Sequence, residues 1–225
     1  MGLYYERAGI QIWLGDCRKI LPTLTADALV TDPPYGIGWS RATWNDRPQD
    51  YPELIRWLVA EAQRGVSGWC FVFQAMLNVG RFHEWFPDGW RLFAACKNFS
   101  QVRPTAVWFG WDPVVFWNNG TDNKPKSGPN TQLVNRDYHV GNVAGLLSVK
   151  ADHPSPRPLD TMRHLVALAA AEGQTIIDPF MGSGTTLRAA MDLGRRAIGI
   201  EIEERYCEIA ANRLRQDVLP LVIDG

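Results

Sequence analysis

Short apolar segments that end in an acid or a turn constrain the fold of this chain more than any other feature. Three of them are IQIWLGD (10–16), DALVTDPP (27–34) and TIIDPF (175–180), and GWCFVFQ (68–74) and RAIGIEI (196–202) share their character. Runs this short and this apolar are typical of strands that are buried on both faces of a parallel sheet.

Three amphipathic helical patterns accompany these strands. They cover residues 51–65 and 155–173, each ending at a glycine, and residues 203–216. Apolar residues recur at three- and four-residue intervals, which places them on one helix face. The alternation predicts a doubly wound α/β sheet, in which ligands bind beyond the carboxyl ends of the strands. Acidic residues are predicted at that edge: Asp16, Asp32, Asp178 and Glu201.

The middle of the chain departs from this alternation. Residues 90–117 alternate aromatic and small side chains, as antiparallel strands do, whereas residues 118–142 are rich in Asn, Gly, Pro and Lys without any period. A long loop inside a compact domain is often functional. We therefore predict a single domain over residues 1–225 that carries a small inserted segment at 118–142.

Composition places the chain among ordinary globular proteins. Of its 225 residues 46% are hydrophobic, and we find neither a signal peptide at the start nor a run of about 18 apolar residues that would predict a membrane span. Four dispersed cysteines without a CxxC pair favour reduced thiols in the cytoplasm over a zinc site or a disulfide framework. We expect no metal and no membrane partner.

Charge is unevenly distributed, although the net charge is −1. Residues 97–150 carry six Lys and Arg residues against three Asp residues and no Glu. Such a basic middle segment is expected where a protein faces a polyanion, and a solvated loop region has the same composition. Charge alone leaves both interpretations open.

Residues 175–194 combine a strand, a glycine turn and a helix. Gly182 and Gly184 allow the backbone to bend sharply and to approach a ligand closely. Glu201 ends the next strand, where a carboxylate can accept hydrogen bonds from ribose hydroxyls. The turn lacks the lysine of a P-loop, and Leu187 replaces the last glycine of a dinucleotide fingerprint, so a nucleoside with a non-phosphate tail fits better. A tight turn without any ligand is the alternative.

The segment TDPPYG (31–36) places unusual chemistry at the end of a predicted strand. Asp32 and the carbonyls around Pro33 and Pro34, which donate no N–H, can accept both hydrogens of an exocyclic amine, and Tyr35 offers a flat face to its ring. Adenine and cytosine carry such amines, and reaching one inside a duplex requires extruding the base. Binding both hydrogens aims the nitrogen lone pair at an electrophile. A turn that merely caps the strand would explain the prolines but neither Asp32 nor Tyr35.

The two segments TDPPYG and DPFMGSGTT together resemble the paired signatures of the S-adenosylmethionine-dependent DNA amino-methyltransferases that modify adenine-N6 or cytosine-N4. Their order matches the group in which the catalytic motif precedes the cofactor motif. The similarity extends over residues 15–35, 153–166 and 199–214. It implies a Rossmann-like methyltransferase sheet, S-adenosylmethionine as the cofactor and double-stranded DNA as the partner.

The resemblance also implies roles for individual residues. The catalytic residues would be Asp32, Pro33, Pro34 and Tyr35. Asp16 matches the acid that meets the cofactor's adenine, Glu201 matches the ribose-binding acid, and Arg157 replaces the usual lysine as a cation for the methionyl carboxylate. The methionine end of the cofactor is expected against the glycine turn: Asp178, Pro179, Phe180, Gly182, Ser183, Gly184 and Thr185.

Two segments are candidates for contact with DNA. The loop after TDPPYG can order over the substrate, although its tryptophans suit core or lid packing equally well. Its candidate residues are Trp39, Arg41 and Trp44. The segment 118–142 is the candidate for target recognition, and its basic residues are Lys124, Lys126 and Arg136. A segment this short suits a short target, relaxed specificity or a homodimer that shares recognition.

An aspartate at position 32 favours adenine, because the cytosine-N4 enzymes of this family more often carry serine there. We therefore predict site-specific methylation of adenine-N6 in DNA, with cytosine-N4 as the nearest alternative and RNA as an open one. A non-catalytic DNA-binding subunit is a further alternative, against which the intact Asp32, Tyr35 and glycine turn argue. Restriction protection, phage self-modification and epigenetic marking would all use this chemistry.

Overall fold

A mixed sheet forms the centre of the protein in the computed structural model, which describes residues 2–36, 47–97, 110–120, 136–142 and 157–216. Within these ranges the strands follow the order β1-β2-β9-β8-β3-β4-β6-β5-β7. Their bounds are β1 (Gly2–Arg7), β2 (Ile10–Leu14), β3 (Ala28–Thr31), β4 (Trp69–Phe73), β5 (Arg91–Lys97), β6 (Trp111–Asn118), β7 (Tyr138–Gly141), β8 (Thr175–Asp178) and β9 (Arg196–Glu201).

Five adjacent strands, β2, β9, β8, β3 and β4, run parallel to one another. Strand β6 is antiparallel to both β4 and β5, and β1 is antiparallel to β2. The carboxyl ends of the five parallel strands therefore lie at one edge of the sheet. The carboxyl end of β5 and the amino end of β6 lie at that same edge.

Helices cover both faces of the sheet. Their bounds are α1 (Cys17–Ile20), α2 (Tyr51–Gly65), α3 (Phe82–Trp85), α4 (Leu159–Ala169), α5 (Thr185–Asp192) and α6 (Glu204–Arg215). Helices α4, α5 and α6 contribute to one apolar core cluster, and α1, α2 and α3 contribute to the other. Successive side chains of a strand point to opposite faces of the sheet, so the strands contribute to both clusters. Ile176 of β8 belongs to the first cluster and Ile177 to the second.

The chain reverses its winding direction between β3 and β8, which are neighbours at the centre of the sheet. From β8 it passes through α5 to β9 on one side, and from β3 it passes through α2 to β4 on the other side. This is the topological switch point at which doubly wound sheets bind their ligands. The prediction of a doubly wound α/β fold is confirmed.

The elements agree with the sequence patterns in type and differ at some boundaries. Helix α2 occupies the predicted residues 51–65, whereas α4 spans 159–169 instead of 155–173. Pro158 precedes its first turn, and Ala170 turns to an extended conformation, so Gly173 lies beyond the helix. Part of the predicted recognition segment, residues 138–141, forms β7 and pairs with β5.

Among the residues that the structure describes, no helix is long and apolar enough to cross a membrane. Within the same ranges, no group of three or more His, Cys, Asp or Glu side chains is arranged to hold a metal ion. All four cysteines are free.

Gly184, in the glycine turn between β8 and α5, is packed closely against α6. Gly184 has φ +76°, and a Cβ placed there would lie 2.7 Å from the Cβ of Ala210 on α6. Gly173 has nearly the same φ, +78°, and a Cβ there would meet no atom within 4 Å. Both positions disfavour L side chains, but Gly184 alone of the two also has a steric conflict.

We expect Gly184→Ala to lower the free energy of unfolding by about 2 kcal/mol more than Gly173→Ala does, because overpacking adds to the backbone strain. Urea unfolding of both variants measures the difference. Adding Ala210→Gly to the Gly184→Ala variant should recover part of the loss. Equal destabilisation by the two alanine variants would contradict this packing argument.

Candidate active site

Two sequence motifs meet at the switch point of the sheet. Asp32 to Tyr35 follow β3, and the glycine turn follows β8, the adjacent parallel strand. The hydroxyl of Thr31, the last residue of β3, donates a 2.6 Å hydrogen bond to Oδ1 of Asp178, the last residue of β8. Both residues are buried. The motif predicted to act on the amine is thus joined directly to the motif predicted to hold the cofactor.

Asp178 also organises the turn that follows it. Its Oδ2 accepts a 2.5 Å hydrogen bond from the hydroxyl of Thr186 on α5, and its Oδ1 accepts the N–H of Phe180 at 3.1 Å. Burial raises the pKa of Asp178 to about 6, although the bonds from Thr186, Thr31 and Phe180 lower it in part. The carboxylate is therefore a structural anchor that ties β3, β8 and α5 together.

The turn itself adopts the conformations that its glycines permit. Gly182 and Gly184 have positive φ values of +51° and +76°, and the N–H of Gly184 donates to the carbonyl of Met181 at 2.9 Å. Pro179, Ser183 and Thr185 are buried, whereas Phe180 and Gly182 are half-buried. The predicted cofactor residues of this turn therefore line the backbone between the end of β8 and the first turn of α5.

Glu201 lies beside this turn at the end of β9. Its Oε2 accepts the N–H of Gly182 at 3.1 Å, and its Oε1 accepts the N–H groups of Ile202 and Glu203 at 2.8 and 2.9 Å. Burial raises the pKa of Glu201, and these three backbone bonds oppose that effect. A carboxylate has about four acceptor positions, and donors within the described ranges fill three of them, which leaves one position on Oε2 for a ligand hydroxyl.

Asp16 lies at the same edge, after β2. It caps α1 by accepting the N–H of Arg18 at 2.9 Å, and the neighbouring Gly15 donates its N–H to the carbonyl of Glu201 at 2.8 Å. The two acids predicted for the nucleoside end of the cofactor are therefore adjacent. Ile202, which directly follows Glu201, has a side chain that is 63% exposed.

Asp32 and Tyr35 form a hydrogen-bonded pair. The Tyr35 hydroxyl donates to Oδ1 of Asp32, and the backbone carbonyl of Tyr35 accepts a 3.0 Å bond from the amide Nδ2 of Asn78. Burial raises the pKa of Tyr35 well above its ordinary value, against the effect of the Arg157 charge, so the hydroxyl is protonated at neutral pH and can donate. Pro33 is buried, while Asp32, Pro34 and Tyr35 are half-buried.

Arg157 contacts both members of this pair, although it lies 125 positions after Asp32 in the sequence. Its Nε lies 2.7 Å from Oδ2 of Asp32, and its Nη2 lies 3.1 Å from Oδ1 and also contacts the Tyr35 hydroxyl. Its Nη1 donates to Oδ2 of Asp112, whose Oδ1 accepts a 2.9 Å bond from Nζ of Lys97. The guanidinium carbon lies 4.6 Å from the centre of the Phe73 ring.

The structure thus brings together the predicted catalytic residues and the predicted cofactor residues. Arg157, predicted to face the methionyl carboxylate, contacts Asp32, Tyr35 and Asp112. Arg136 donates to the Tyr138 hydroxyl at 2.9 Å at the start of β7. The other candidate DNA-contacting residues lie outside the described ranges: Trp39, Arg41, Trp44, Lys124 and Lys126.

Sequence reasoning missed several residues of this site. Thr31, Asn78, Lys97 and Asp112 each reach the site across a long sequence separation. For Asp112 and Lys97 a signal existed, because each is a charged residue in an otherwise apolar strand pattern. The pattern predicted antiparallel strands and no site, whereas both charges lie near strand ends, where Asp112 contacts Lys97 and Arg157.

The raised pKa of Asp178 predicts a pH-dependent stability. Because its folded value of about 6 exceeds the unfolded value of about 4, the folded state favours the protonated carboxyl. This contribution is complete below about pH 4 and is lost as pH rises through 6, by up to about 3 kcal/mol. Asp178→Asn removes the titration.

We therefore expect the free energy of unfolding of the wild type, relative to Asp178→Asn, to decrease between pH 4 and pH 7. Urea unfolding of both proteins across this range measures the difference. Parallel pH profiles for the two proteins would show that Asp178 titrates normally.

Comparisons with known proteins agree with this geometry. The family model described as DNA methylase matches residues 80–212, which is more than half of the chain. The Type II methyltransferase M.ScaI of Streptomyces caespitosus is 26% identical over 97% of this chain and 85% of its own length. The Type II methyltransferase M.HindIII of Haemophilus influenzae is 28% identical over 73% of this chain, which spans 55% of that relative.

Solved structures share the fold. The M1.HpyAVI–SAM complex superposes with a TM-score of 0.69 at 23% identity, covering 92% of this chain and 100% of that one. The cytosine-N4-specific PvuII DNA methyltransferase superposes with a TM-score of 0.73 at 14% identity, covering 94% of this chain and 88% of that one. The fold, the two joined motifs and the match over residues 80–212 lead to one conclusion: this chain belongs to the S-adenosylmethionine-dependent DNA methylases of the adenine-N6 and cytosine-N4 family.

Proposed function

We propose that the protein methylates the N6 amine of adenine in double-stranded DNA at specific sites. The observation that carries this proposal is the Asp32 carboxylate, held beside Tyr35 and directly joined through Thr31 to the glycine turn. A carboxylate and a proline-flanked carbonyl accept the two hydrogens of an amine, and a tyrosine ring can stack on an extruded base. Aspartate at this position favours adenine within the family.

The cofactor would occupy the edge formed by the glycine turn, Glu201 and Asp16. Gly182 and Gly184, both with positive φ, shape the turn at this edge, and Glu201 accepts hydrogen bonds from three backbone N–H groups and offers a further acceptor position to a ribose hydroxyl. The exposed side chain of Ile202, next to Glu201 in the chain, would offer apolar surface to the base ring of the cofactor. When bound there, S-adenosylmethionine supplies a methyl group on a sulfonium, which is an electrophile for an amine nitrogen.

The residues of this chain would act by positioning the amine. Asp32 accepts one N–H, a carbonyl beside Pro33 or Pro34 accepts the other, and the nitrogen lone pair is directed away from both. Asp32 need not remove a proton before the transfer, because the attacking group is the neutral amine. Tyr35, kept protonated by burial, donates to Asp32 and so fixes the carboxylate as well as offering its ring.

The wider assignment extends this proposal. The segment 118–142 and the loop of Trp39, Arg41 and Trp44 are proposed to contact the DNA, and a homodimer that shares recognition stays a prediction. The four free cysteines suit the reducing cytoplasm, which is the proposed place of action.

The base specificity is tested by incubating the protein with labelled S-adenosylmethionine and unmethylated DNA, then identifying the modified nucleoside after digestion. We expect the label on N6-methyladenine. Label on N4-methylcytosine would overturn the adenine assignment, and label on RNA alone would overturn the substrate. Cofactor binding without label on any polymer would favour a non-catalytic DNA-binding subunit.

The mechanism is tested by Asp32→Ala. We expect it to reduce methyl transfer to background, because the amine loses an acceptor, while the Kd for S-adenosylmethionine changes by less than about threefold. Asp88→Ala is the control, since Asp88 is an exposed aspartate that precedes β5 at the opposite edge of the sheet. Turnover in Asp32→Ala equal to that of the control would rule out this role for the carboxylate.

A further inference from the structure

Arg157 directs most of its hydrogen-bonding capacity at the catalytic pair. A guanidinium carries five N–H groups, and four of them are used: one from Nε and one from Nη2 to Asp32, one from Nη2 to the Tyr35 hydroxyl, and one from Nη1 to Asp112. Its side chain is 14% exposed. Counted over the part of the chain that the structure describes, one N–H remains for a further anion, which is too few for two parallel hydrogen bonds to a cofactor carboxylate.

Asp112 holds the far side of this guanidinium. It lies near the amino end of β6, opposite Ala95 of β5, and Lys97 at the end of β5 reaches back to it at 2.9 Å. The backbone N–H of Lys97 also donates to the carbonyl of Gly110 at 2.7 Å, which joins the two strand ends. Asp112 therefore bridges two cations from a rigid strand pair.

The cluster around Arg157 has no net charge, and its partial burial strengthens the attraction between its opposite charges. Two carboxylates, Asp32 and Asp112, alternate with two cations, Arg157 and Lys97, and none of the four side chains exceeds 27% exposure. Burial raises the pKa of Asp112, but the charges of Arg157 and Lys97 outweigh it and hold that pKa below the ordinary value. Asp112 thus stays ionised and maintains its ion pair with Arg157.

The consequence for Asp32 is a defined acceptor geometry. Of its roughly four acceptor positions, Oδ1 uses two for Tyr35 and Arg157, and Oδ2 uses one for Arg157. With all described partners counted, one position on Oδ2 is left, and its direction is set by the planar guanidinium of Arg157. A target amine that donates to Asp32 would therefore meet a single, oriented acceptor.

We infer that Arg157, anchored by Asp112 and Lys97, is a positioning residue that orients the catalytic carboxylate Asp32 toward the target amine, and that it does not serve as the ligand of the cofactor carboxylate. The inference rests on the proposed function of Asp32. It also accounts for arginine at a position where lysine is usual in the family, because an ammonium cannot hold both Asp32 oxygens and Asp112 in one plane.

The test compares Asp112→Asn with Asp192→Asn. Asp192 is a matched control, because it also lies between two arginines, Arg163 and Arg188, but at the far end of α5. We expect Asp112→Asn to lower the methyl-transfer rate at saturating S-adenosylmethionine and DNA by at least about tenfold. The Kd for S-adenosylmethionine should change by less than about threefold, and Asp192→Asn should retain the wild-type rate.

Two further variants separate positioning from folding. Arg157→Lys keeps the charge and loses the fork, so it should also lose at least about tenfold in transfer rate without weakening cofactor binding. Lys97→Met removes the cation beside Asp112 and should lower the methyl-transfer rate. Lys97→Arg keeps that charge and should retain most of the wild-type rate. If Arg157→Lys weakened cofactor binding about tenfold and left the saturated rate unchanged, the cofactor role would be correct and the inference would be overturned.

A measurement without methyl transfer keeps the inference independent of the proposed function. In ¹⁵N NMR spectra the Arg157 Nε–H signal, assigned by its loss in Arg157→Lys, should exchange with solvent at least about tenfold faster in Asp112→Asn than in the wild type or Asp192→Asn. Unchanged exchange would overturn the anchoring by Asp112. A wild-type protein that transfers no methyl group would instead refute the proposed function.

Discussion

The hydrogen bond between Thr31 and Asp178 is the contact on which the arrangement of this site depends. It joins the ends of β3 and β8 at the point where the chain changes winding direction, and it is buried on both sides. Asp178 also accepts hydrogen bonds from the Thr186 hydroxyl and the N–H of Phe180, so one carboxylate fixes the end of β3, the glycine turn and the start of α5. A half-satisfied group in this position would be costly, which explains why three donors converge on it.

A second constraint follows from placing a charged carboxylate in a half-buried pocket. Asp32 needs cationic partners there, and the proposed function requires those partners to leave one acceptor position for the target amine. Arg157 meets both requirements. Its Nε and Nη2 bind the two carboxylate oxygens of Asp32, and its Nη1 binds Asp112. The stacking of the guanidinium over Phe73 holds that plane in place without consuming any further donor.

Much of the fold could be predicted, because the patterns involved are local. Helix α2 shows its apolar period within 15 residues, and the parallel strands show short apolar runs, as buried strands must. The end of α4 was misjudged because Gly173, a plausible helix stop, belongs to a turn beyond Ala169. Strand β7 was missed because residues 138–141 are too short and too polar to signal a strand without their partner β5.

The chemistry of the site divides in the same way. The sequence by itself determined the acceptors of TDPPYG, the glycine turn and the acid at Glu201, because each is carried by a few adjacent residues whose backbone preferences are intrinsic. The tertiary structure alone decided that Thr31 bonds Asp178 and that Arg157 bridges Asp32 and Asp112. These partners lie 147, 125 and 45 positions apart, and charges or hydroxyls so distant meet through strand order, which no local pattern encodes.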